Sequence, residues 1–170
     1  MAEAKTRPEC PEPTGRLLGT PQHAAVLPIR PATPADIEAV ARLHRAVRTE
    51  CLPYLPELHT PEEDLRFFRE RIFPTCTVLV GGGTRLAGYC AFHDGWVEHL
   101  YVAPAAQGRG LGSALLNQAM VAQPYLRLRV FQKNTPAIRF YARRGCRLLE
   151  LGDGSGNEER EPDALCEWRR

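Results

Sequence analysis

The sequence of 170 residues lacks the features of a membrane or secreted protein. Its longest uncharged run, 110–126, is interrupted by Asn117, Gln118, Gln123 and Pro124, whereas a membrane span needs about 20 mainly apolar residues. The six cysteines form no C-x-x-C pair and no Cys/His cluster with zinc-finger spacing. The N-terminal segment is too rich in Glu and Pro for a secretory signal. These absences predict a cytoplasmic protein with reduced thiols and no metal.

Acidic residues are absent from a central segment, His99 to Leu149, which carries eight basic residues. The segment that follows, Glu150 to Arg170, has seven acids and three bases. A basic region followed by an acidic one can attract a polyanion at one place and a cation at another. Because the basic residues surround a glycine-rich turn and lack interleaved aromatic residues, a nucleic-acid partner is not expected.

The first 25 residues carry four prolines and little periodicity, which predicts a flexible arm over 1–25 and a single domain over 26–170. Helix and strand spacing then follow the order β-α-α-β-β-β-α-β-α-β-β. Thr33 and Thr60 each precede a proline and nearby acids, which predicts two capped helix starts. The order predicts an α/β fold, with a mixed, mostly antiparallel sheet of about seven strands and helices on both faces.

A strand, a glycine-rich turn and a helix follow one another between Leu100 and Ser113. Gly108, Gly110 and Gly112 alternate with other residues where the helix begins. A helix N-terminus leaves unpaired N–H groups and carries a partial positive charge, so this turn predicts a cradle for a pyrophosphate. No lysine completes a P-loop, and no acidic residue follows at the spacing of a dinucleotide-binding fold.

The pattern Q-x-x-G-x-G after L-Y-V-x-P, followed by Asn134, Phe140-Tyr141 and Gly145, resembles the GNAT superfamily of N-acetyltransferases. The resemblance in element order covers about 26–170, and the residue-level match covers 96–146. It implies the GNAT fold, acetyl-CoA as co-substrate without a metal, and direct transfer of an acetyl group to a primary amine. Cys146 departs from the family, which usually has Phe there, at a position that packs.

The resemblance also implies roles for individual residues of the two motifs. Tyr141 would act as the general acid for the departing CoA thiolate, and Asn134 would hydrogen-bond the pantetheine arm. The backbone of the fourth strand would hold the pantetheine, and main-chain N–H groups of the turn would bind the pyrophosphate. The cofactor-binding residues of strand and turn are then Leu100, Tyr101, Val102, Gln107, Gly108, Arg109, Gly110, Leu111, Gly112 and Ser113.

The family often draws its general base, or a water relay, from the fourth strand. Glu98 is the first candidate in this sequence, and His99 or water are the alternatives. Strict strand alternation predicts Trp96, Glu98 and Leu100 on one face, with His99 and Tyr101 on the other.

By the same resemblance, the acceptor enters between segment 52–59 and the loop 152–163, the most acidic stretch of the chain. Several like charges around a cleft attract the opposite charge, so this loop predicts a cationic small-molecule amine as acceptor. A protein N-terminus or lysine as acceptor, and a CoA-binding module without catalysis, are the alternatives. The last strand is expected to lie exposed, where it could pair across a homodimer.

Overall fold

The structure is a computed structural model that describes residues 27–170, so the predicted arm and Cys10 lie outside the described residues. The strands are β1 (Ile29–Pro31), β2 (Thr77–Gly82), β3 (Leu86–His93), β4 (Trp96–Val102), β5 (Tyr125–Phe131), β6 (Arg147–Leu151) and β7 (Asp163–Arg169). The helices are α1 (Ile37–Cys51), α2 (Pro61–Phe67), α3 (Leu111–Ala122) and α4 (Thr135–Arg143). Helix α2 continues through a π-helical stretch, Phe68–Ile72, and a final turn, Phe73–Thr75. The predicted order of elements is confirmed. No helix in the range 27–170 is long and apolar enough to cross a membrane.

Two carboxylates fix the starts of the helical segments. Asp36 accepts hydrogen bonds from the N–H and hydroxyl of Thr33 at 2.8 and 2.9 Å, and from both terminal nitrogens of Arg30 at 2.8 Å. Glu63 accepts a hydrogen bond from the N–H of Thr60 at 2.8 Å, and the Thr60 hydroxyl accepts one from the N–H of Glu63 at 3.2 Å. Each arrangement satisfies backbone donors that a helix start leaves unpaired.

The seven strands form one sheet in the order β1-β2-β3-β4-β5-β7-β6. Neighbouring strands run antiparallel except β4 and β5, which confirms the mixed, mostly antiparallel sheet. The prediction that the last strand lies exposed is wrong, because β7 lies between β5 and β6 and β6 forms the edge of the described sheet. The physical reason is burial: Ala164 and Cys166 of β7 pack into the core, whereas every residue of β6 is exposed.

Helices cover both faces of the sheet, as predicted, and a separate apolar core lies under each pair. Alternation along β3 sends Tyr89 into the core beneath α1 and α2, where it packs with Phe68. Cys90, the next residue, faces the core beneath α3 and α4 together with Leu115. All four side chains are fully buried, so the central strands are anchored on both sides.

Candidate active site

A β-bulge interrupts β4 at the residue that sequence analysis favoured as a base. Phe92 of β3 pairs with Val97, whereas the preceding Ala91 pairs with His99, so Glu98 has no partner opposite it. A bulge inserts one extra residue into one strand and reverses the side-chain alternation beyond it.

The predicted face of β4 is therefore wrong for Trp96. Val97 and Leu100 both pack into the core beneath α3 and α4, although they are three residues apart. Trp96, one residue before Val97, is consequently on the opposite face from Leu100. The rest of the prediction is confirmed: Glu98 and Leu100 line the same cleft, whereas His99 and Tyr101 pack on the side of α1 and α2.

A cleft of about 840 Å³ opens where β4 and β5 diverge. The two strands pair only at Trp96 and Arg127, where the Arg127 N–H donates to the carbonyl of Gly95 at 2.7 Å. Antiparallel pairing with β3 uses every second residue of β4, so the backbone groups of Leu100 and Val102 are directed at the cleft. An extended ligand that carries amide groups can hydrogen-bond to this free strand edge.

The glycine-rich turn forms one end of the cleft and presents unpaired donors. Gly108 and Gly110 have φ of +72° and +87°, a region that favours glycine. Within residues 27–170, none of the six N–H groups from 108 to 113 donates a hydrogen bond. Since Gly110 caps the start of α3, the positive end of the helix dipole adds to these donors, and the turn is suited to an anion.

Side chains around the turn hold it in place and add positive charge. Gln107 donates from Nε2 to the carbonyl of Val102 at 2.9 Å, which ties the turn to the end of β4. Arg144 contacts the hydroxyl of Ser113 and lies 5.4 Å from the ring centroid of Phe140. Of the basic residues of the central segment, Arg129, Lys133 and Arg144 line the cleft, whereas Arg109, Arg139 and Arg143 do not.

Asn134 lies in the wall of the cleft and also caps α4. Its Oδ1 accepts a hydrogen bond from the N–H of Ala137 at 3.2 Å. Its Nδ2 donates no hydrogen bond within the described part of the chain, 27–170. The side chain is thus oriented by the helix and keeps a donor for a ligand.

Tyr141 also lines the cleft, with 8% of its surface exposed. Burial raises the pKa of its hydroxyl far above the ordinary value of 10. The phenol therefore stays protonated throughout the neutral range and can donate a hydrogen bond.

A second cavity, of about 470 Å³, lies between α1, α2 and the loop that precedes β7. Leu52 lines both cavities, so they adjoin. Five carboxylates but only two guanidinium groups line the smaller cavity; these are Glu57, Glu63, Asp64, Glu158 and Glu159, with Arg45 and Arg48. Sequence analysis placed segment 52–59, which contains Glu57, at the acceptor side, but it missed Glu63 and Asp64, which were visible only as part of the capping pattern of α2.

Three carboxylates of the acidic loop pair with arginine or lysine side chains of other elements, and a fourth, Glu158, lies beside the imidazole of His59. The pairs are Glu158–His59 (3.0 Å), Glu159–Arg48 (2.9 Å), Glu161–Lys133 (3.0 Å) and Asp163–Arg129 (3.1 Å). Paired charges attract a distant cation far less than free ones. The excess negative charge of the smaller cavity therefore comes from α2 and the segment before it as much as from this loop.

The two candidate bases lie in different cavities. Glu98 lines the larger cleft and lies 2.9 Å from Nε2 of His93. His99 lines the smaller cavity, and within residues 27–170 its buried Nε2 has no hydrogen-bond partner. Burial, with a contribution from Arg48, lowers the pKa of His99 to about 4, so its imidazole is neutral at pH 7.

His44 of α1 completes an aromatic wall of the smaller cavity. Its ring centroid lies 5.2 Å from that of His99, and its Nδ1 lies 2.8 Å from the hydroxyl of Tyr89. Burial lowers the pKa of His44 well below its usual value. Phe67 lies at the same wall, 6.1 Å from His99 between ring centroids.

Comparison with known proteins identifies the family. The model of the acetyltransferase (GNAT) family matches residues 42–146, more than half of the chain. The chain belongs to this family. The match covers every residue that lines the larger cleft and includes the glycine-rich turn, but it ends before the loop that carries Glu158 and Glu159 of the smaller cavity.

Solved structures share the fold at low sequence identity. A GCN5-related N-acetyltransferase from Rhodopseudomonas palustris superimposes with a TM-score of 0.71 at 18% identity, covering 86% of this chain and 97% of that chain. YncA of Salmonella typhimurium, solved with acetyl-CoA, has a TM-score of 0.65 at 20% identity and covers 84% of this chain and 93% of its own.

A curated relative is closer in sequence over a shorter segment. Peptidyl-lysine N-acetyltransferase YiaC of Escherichia coli is 37% identical over 67 residues. The matched segment is 39% of this chain and 46% of the relative, so the chain spans about half the length of that protein.

Replacing Gly112 by Glu should abolish binding of coenzyme A without unfolding the protein. A Cβ atom at residue 112 would lie 3.4 Å from Val102 and 3.7 Å from Phe140, which are ordinary contacts. The added carboxylate would face the pyrophosphate at the anion-binding turn and repel it. We expect calorimetry to show at least a tenfold loss of affinity, about 1.4 kcal/mol or more. Gly156→Glu adds the same charge in open space of the loop before β7 and serves as the control. Wild-type affinity in Gly112→Glu would contradict the cradle assignment.

Proposed function

We propose that the protein transfers an acetyl group from acetyl-CoA directly to a primary amine. The observation that carries the proposal is the cleft between the diverging strands, which ends at six unpaired N–H groups. Pantetheine can lie along the free edge of β4, and the pyrophosphate can occupy the turn between Gln107 and Ser113. The acetyltransferase family model, which matches these elements, supports the same reading.

The acceptor we propose is a cationic amine, and a small molecule is the first choice. The support is the excess of carboxylates over guanidinium groups in the smaller cavity. A peptide lysine is the second candidate, because the curated relative is a peptidyl-lysine N-acetyltransferase. Both acceptors present an alkylammonium group to the same carboxylates.

The low pKa of His99 decides how the amine loses its proton. Moving a proton from an alkylammonium, with a pKa of about 10.4, to an imidazole with a pKa of about 4 costs about 9 kcal/mol. Glu98 remains our alternative base, but its carboxylate lies against His93 in the other cavity. We therefore infer that the ammonium releases its proton to bulk solvent before attack, which costs about 5 kcal/mol at pH 7, and that neutral His99 accepts a hydrogen bond from the attacking amine.

Tyr141 would assist the departure of the thiolate. The amine nitrogen forms a bond to the thioester carbonyl carbon, the carbon–sulfur bond breaks, and one N–H proton ends on sulfur. A phenol with a strongly raised pKa cannot give its proton permanently to a thiolate with a pKa of about 8.5. Tyr141 can instead donate a hydrogen bond to sulfur and relay the proton from nitrogen.

The proposal is tested by release of free thiol from acetyl-CoA with three probes: Nα-acetyl-lysine amide, an alanyl tripeptide amide and 1,5-diaminopentane. We expect amine-dependent thiol release, with the acetylated product found by mass spectrometry. Norleucine amide blocked at its N-terminus resembles the lysine probe but has no free amine, and it should release no thiol. Binding of acetyl-CoA without transfer to any primary amine would favour the alternative of a non-catalytic CoA-binding module.

Replacing Tyr141 by Phe should lower kcat about 10- to 1,000-fold while leaving the affinity for acetyl-CoA nearly unchanged. The ring stays in the core and only the hydroxyl is lost. Phe140→Leu, which changes the neighbouring ring but no proton donor, is the matched control. Unchanged kcat in Tyr141→Phe, with chemistry shown to limit the rate, would remove the proposed role.

The pH dependence of kcat/KM should reflect the pKa of the acceptor amine and not the pKa of a base on the protein. Below the pKa of the acceptor, kcat/KM should rise about tenfold per pH unit, because only the neutral amine attacks. The slope of log kcat/KM against pH should be the same in wild type, Glu98→Gln and His99→Gln. His99→Gln should lower kcat/KM at every pH. A plateau with an inflection between pH 5 and 8 that disappears in Glu98→Gln would identify Glu98 as the base instead.

A further inference from the structure

One ion pair forms part of the partition between the two cavities. Along α1, Val47 and Cys51 line the larger cleft, whereas Arg48 lines the smaller cavity. Arg48 pairs with Glu159 at 2.9 Å, and both residues line the smaller cavity. The pair thus lies between the carboxylates of that cavity and the strand that borders the larger cleft.

Arg48 also touches the wall of the cleft. Burial raises the pKa of Tyr101, and the guanidinium of Arg48 beside it opposes that rise. Tyr101 lines the larger cleft and His99, two residues earlier, lines the smaller cavity. Arg48 therefore connects β4, at the junction of the cavities, to the loop that carries Glu159.

The partners are too buried to separate without a replacement. The side chain of Glu159 is 16% exposed and that of Arg48 is 25% exposed. A carboxylate that loses its cation in such surroundings still carries the free-energy cost of desolvation, and no attraction to an opposite charge offsets it. A second cation that arrives as the first one leaves would remove this cost.

We propose that the Arg48–Glu159 pair is a gate, and that the ammonium group of the acceptor replaces Arg48 on Glu159 as it enters. This inference rests on the proposed function, since it concerns the acceptor of the same transfer. It makes Glu159 a specificity-determining residue for cationic acceptors. It also makes Arg48 a competitor of the acceptor, which is the opposite of a binding residue.

Substitution of Arg48 and substitution of Glu159 should change the KM for the acceptor in opposite directions. Arg48→Gln removes the competing cation, so KM for the best of the three amine probes should fall about fivefold. Glu159→Gln removes the receiving carboxylate, so KM should rise about 10- to 100-fold. A pair that only braces the loop predicts a change in the same direction for both variants.

Controls separate the gate from folding and from donor binding. Arg42→Gln breaks the exposed pair with Glu38 on the same helix, and it should leave the KM for the acceptor and the KM for acetyl-CoA unchanged. Calorimetry with acetyl-CoA should match wild type in all variants, whereas thermal unfolding should occur at a lower temperature in Arg48→Gln, which leaves Glu159 without its partner. If Glu159→Gln does not fold, Glu159→Asp shortens the carboxylate and should raise acceptor KM by a smaller factor.

The outcomes distinguish the gate from the proposed function. Shifts of KM in opposite directions support the gate, whereas shifts in one direction, or none, overturn it while acetyl transfer stands. Acetyl-CoA binding without acetylation of any cationic probe would overturn both the gate and the acceptor class. Failure of the wild type to bind acetyl-CoA would overturn the proposed function itself.

Discussion

The divergence of β4 and β5 is the constraint on which the site depends. A parallel pair that continued along both strands would satisfy the backbone groups of Leu100 and Val102 and close the sheet. Pairing stops after Trp96 and Arg127, so the sheet opens into a cleft in which the backbone groups of Leu100 remain free and the carbonyl of Val102 accepts a hydrogen bond from Gln107. The same opening lets the cavity on the α1–α2 side adjoin the cleft.

The divergence is stabilised from outside the strands. The bulge at Glu98 changes the side-chain faces of β4 and lets Val97 and Leu100 both pack beneath α3 and α4. Gln107 then binds the carbonyl of Val102 and holds the glycine-rich turn against the strand end. Local hydrogen bonds thus hold one edge of β4 away from β5. Unpaired backbone groups at a buried edge cost free energy, and a ligand that hydrogen-bonds to them removes that cost.

Sequence patterns predicted most of the fold because the decisive signals are local. The threonine caps, the period of apolar residues and the glycines of the turn each act within a few residues, and they predicted the element order correctly. The bulge was not predictable, since Trp96 to Val102 reads as a regular alternating strand. The position of β7 inside the sheet was also missed, because strand order depends on which side chains the core buries.

Sequence analysis identified an acidic loop, but it did not identify all the carboxylates that line the smaller cavity. The acidic loop is conspicuous in the sequence, but its carboxylates pair with bases up to 111 residues away, as Glu159 does with Arg48. No periodicity reveals a partner at that distance. The free acidic character of the smaller cavity instead owes much to Glu57 and Glu63, which look like ordinary surface and capping residues in the sequence, whereas Asp64 pairs with Arg45 at 2.7 Å.

The cysteines argue that transfer is direct and not through an acyl-enzyme. A cysteine nucleophile must be a thiolate within reach of the thioester. Cys90 is fully buried, and burial raises the pKa of its thiol to about 12, while burial raises the pKa of Cys146 to about 11. Cys51 is exposed but lies 3.6 Å from Nε2 of Gln107, at the end of the cleft that holds the anion cradle. In the proposed function the thioester lies near Tyr141 and not beside Cys51, and we therefore propose that the acceptor amine attacks it directly.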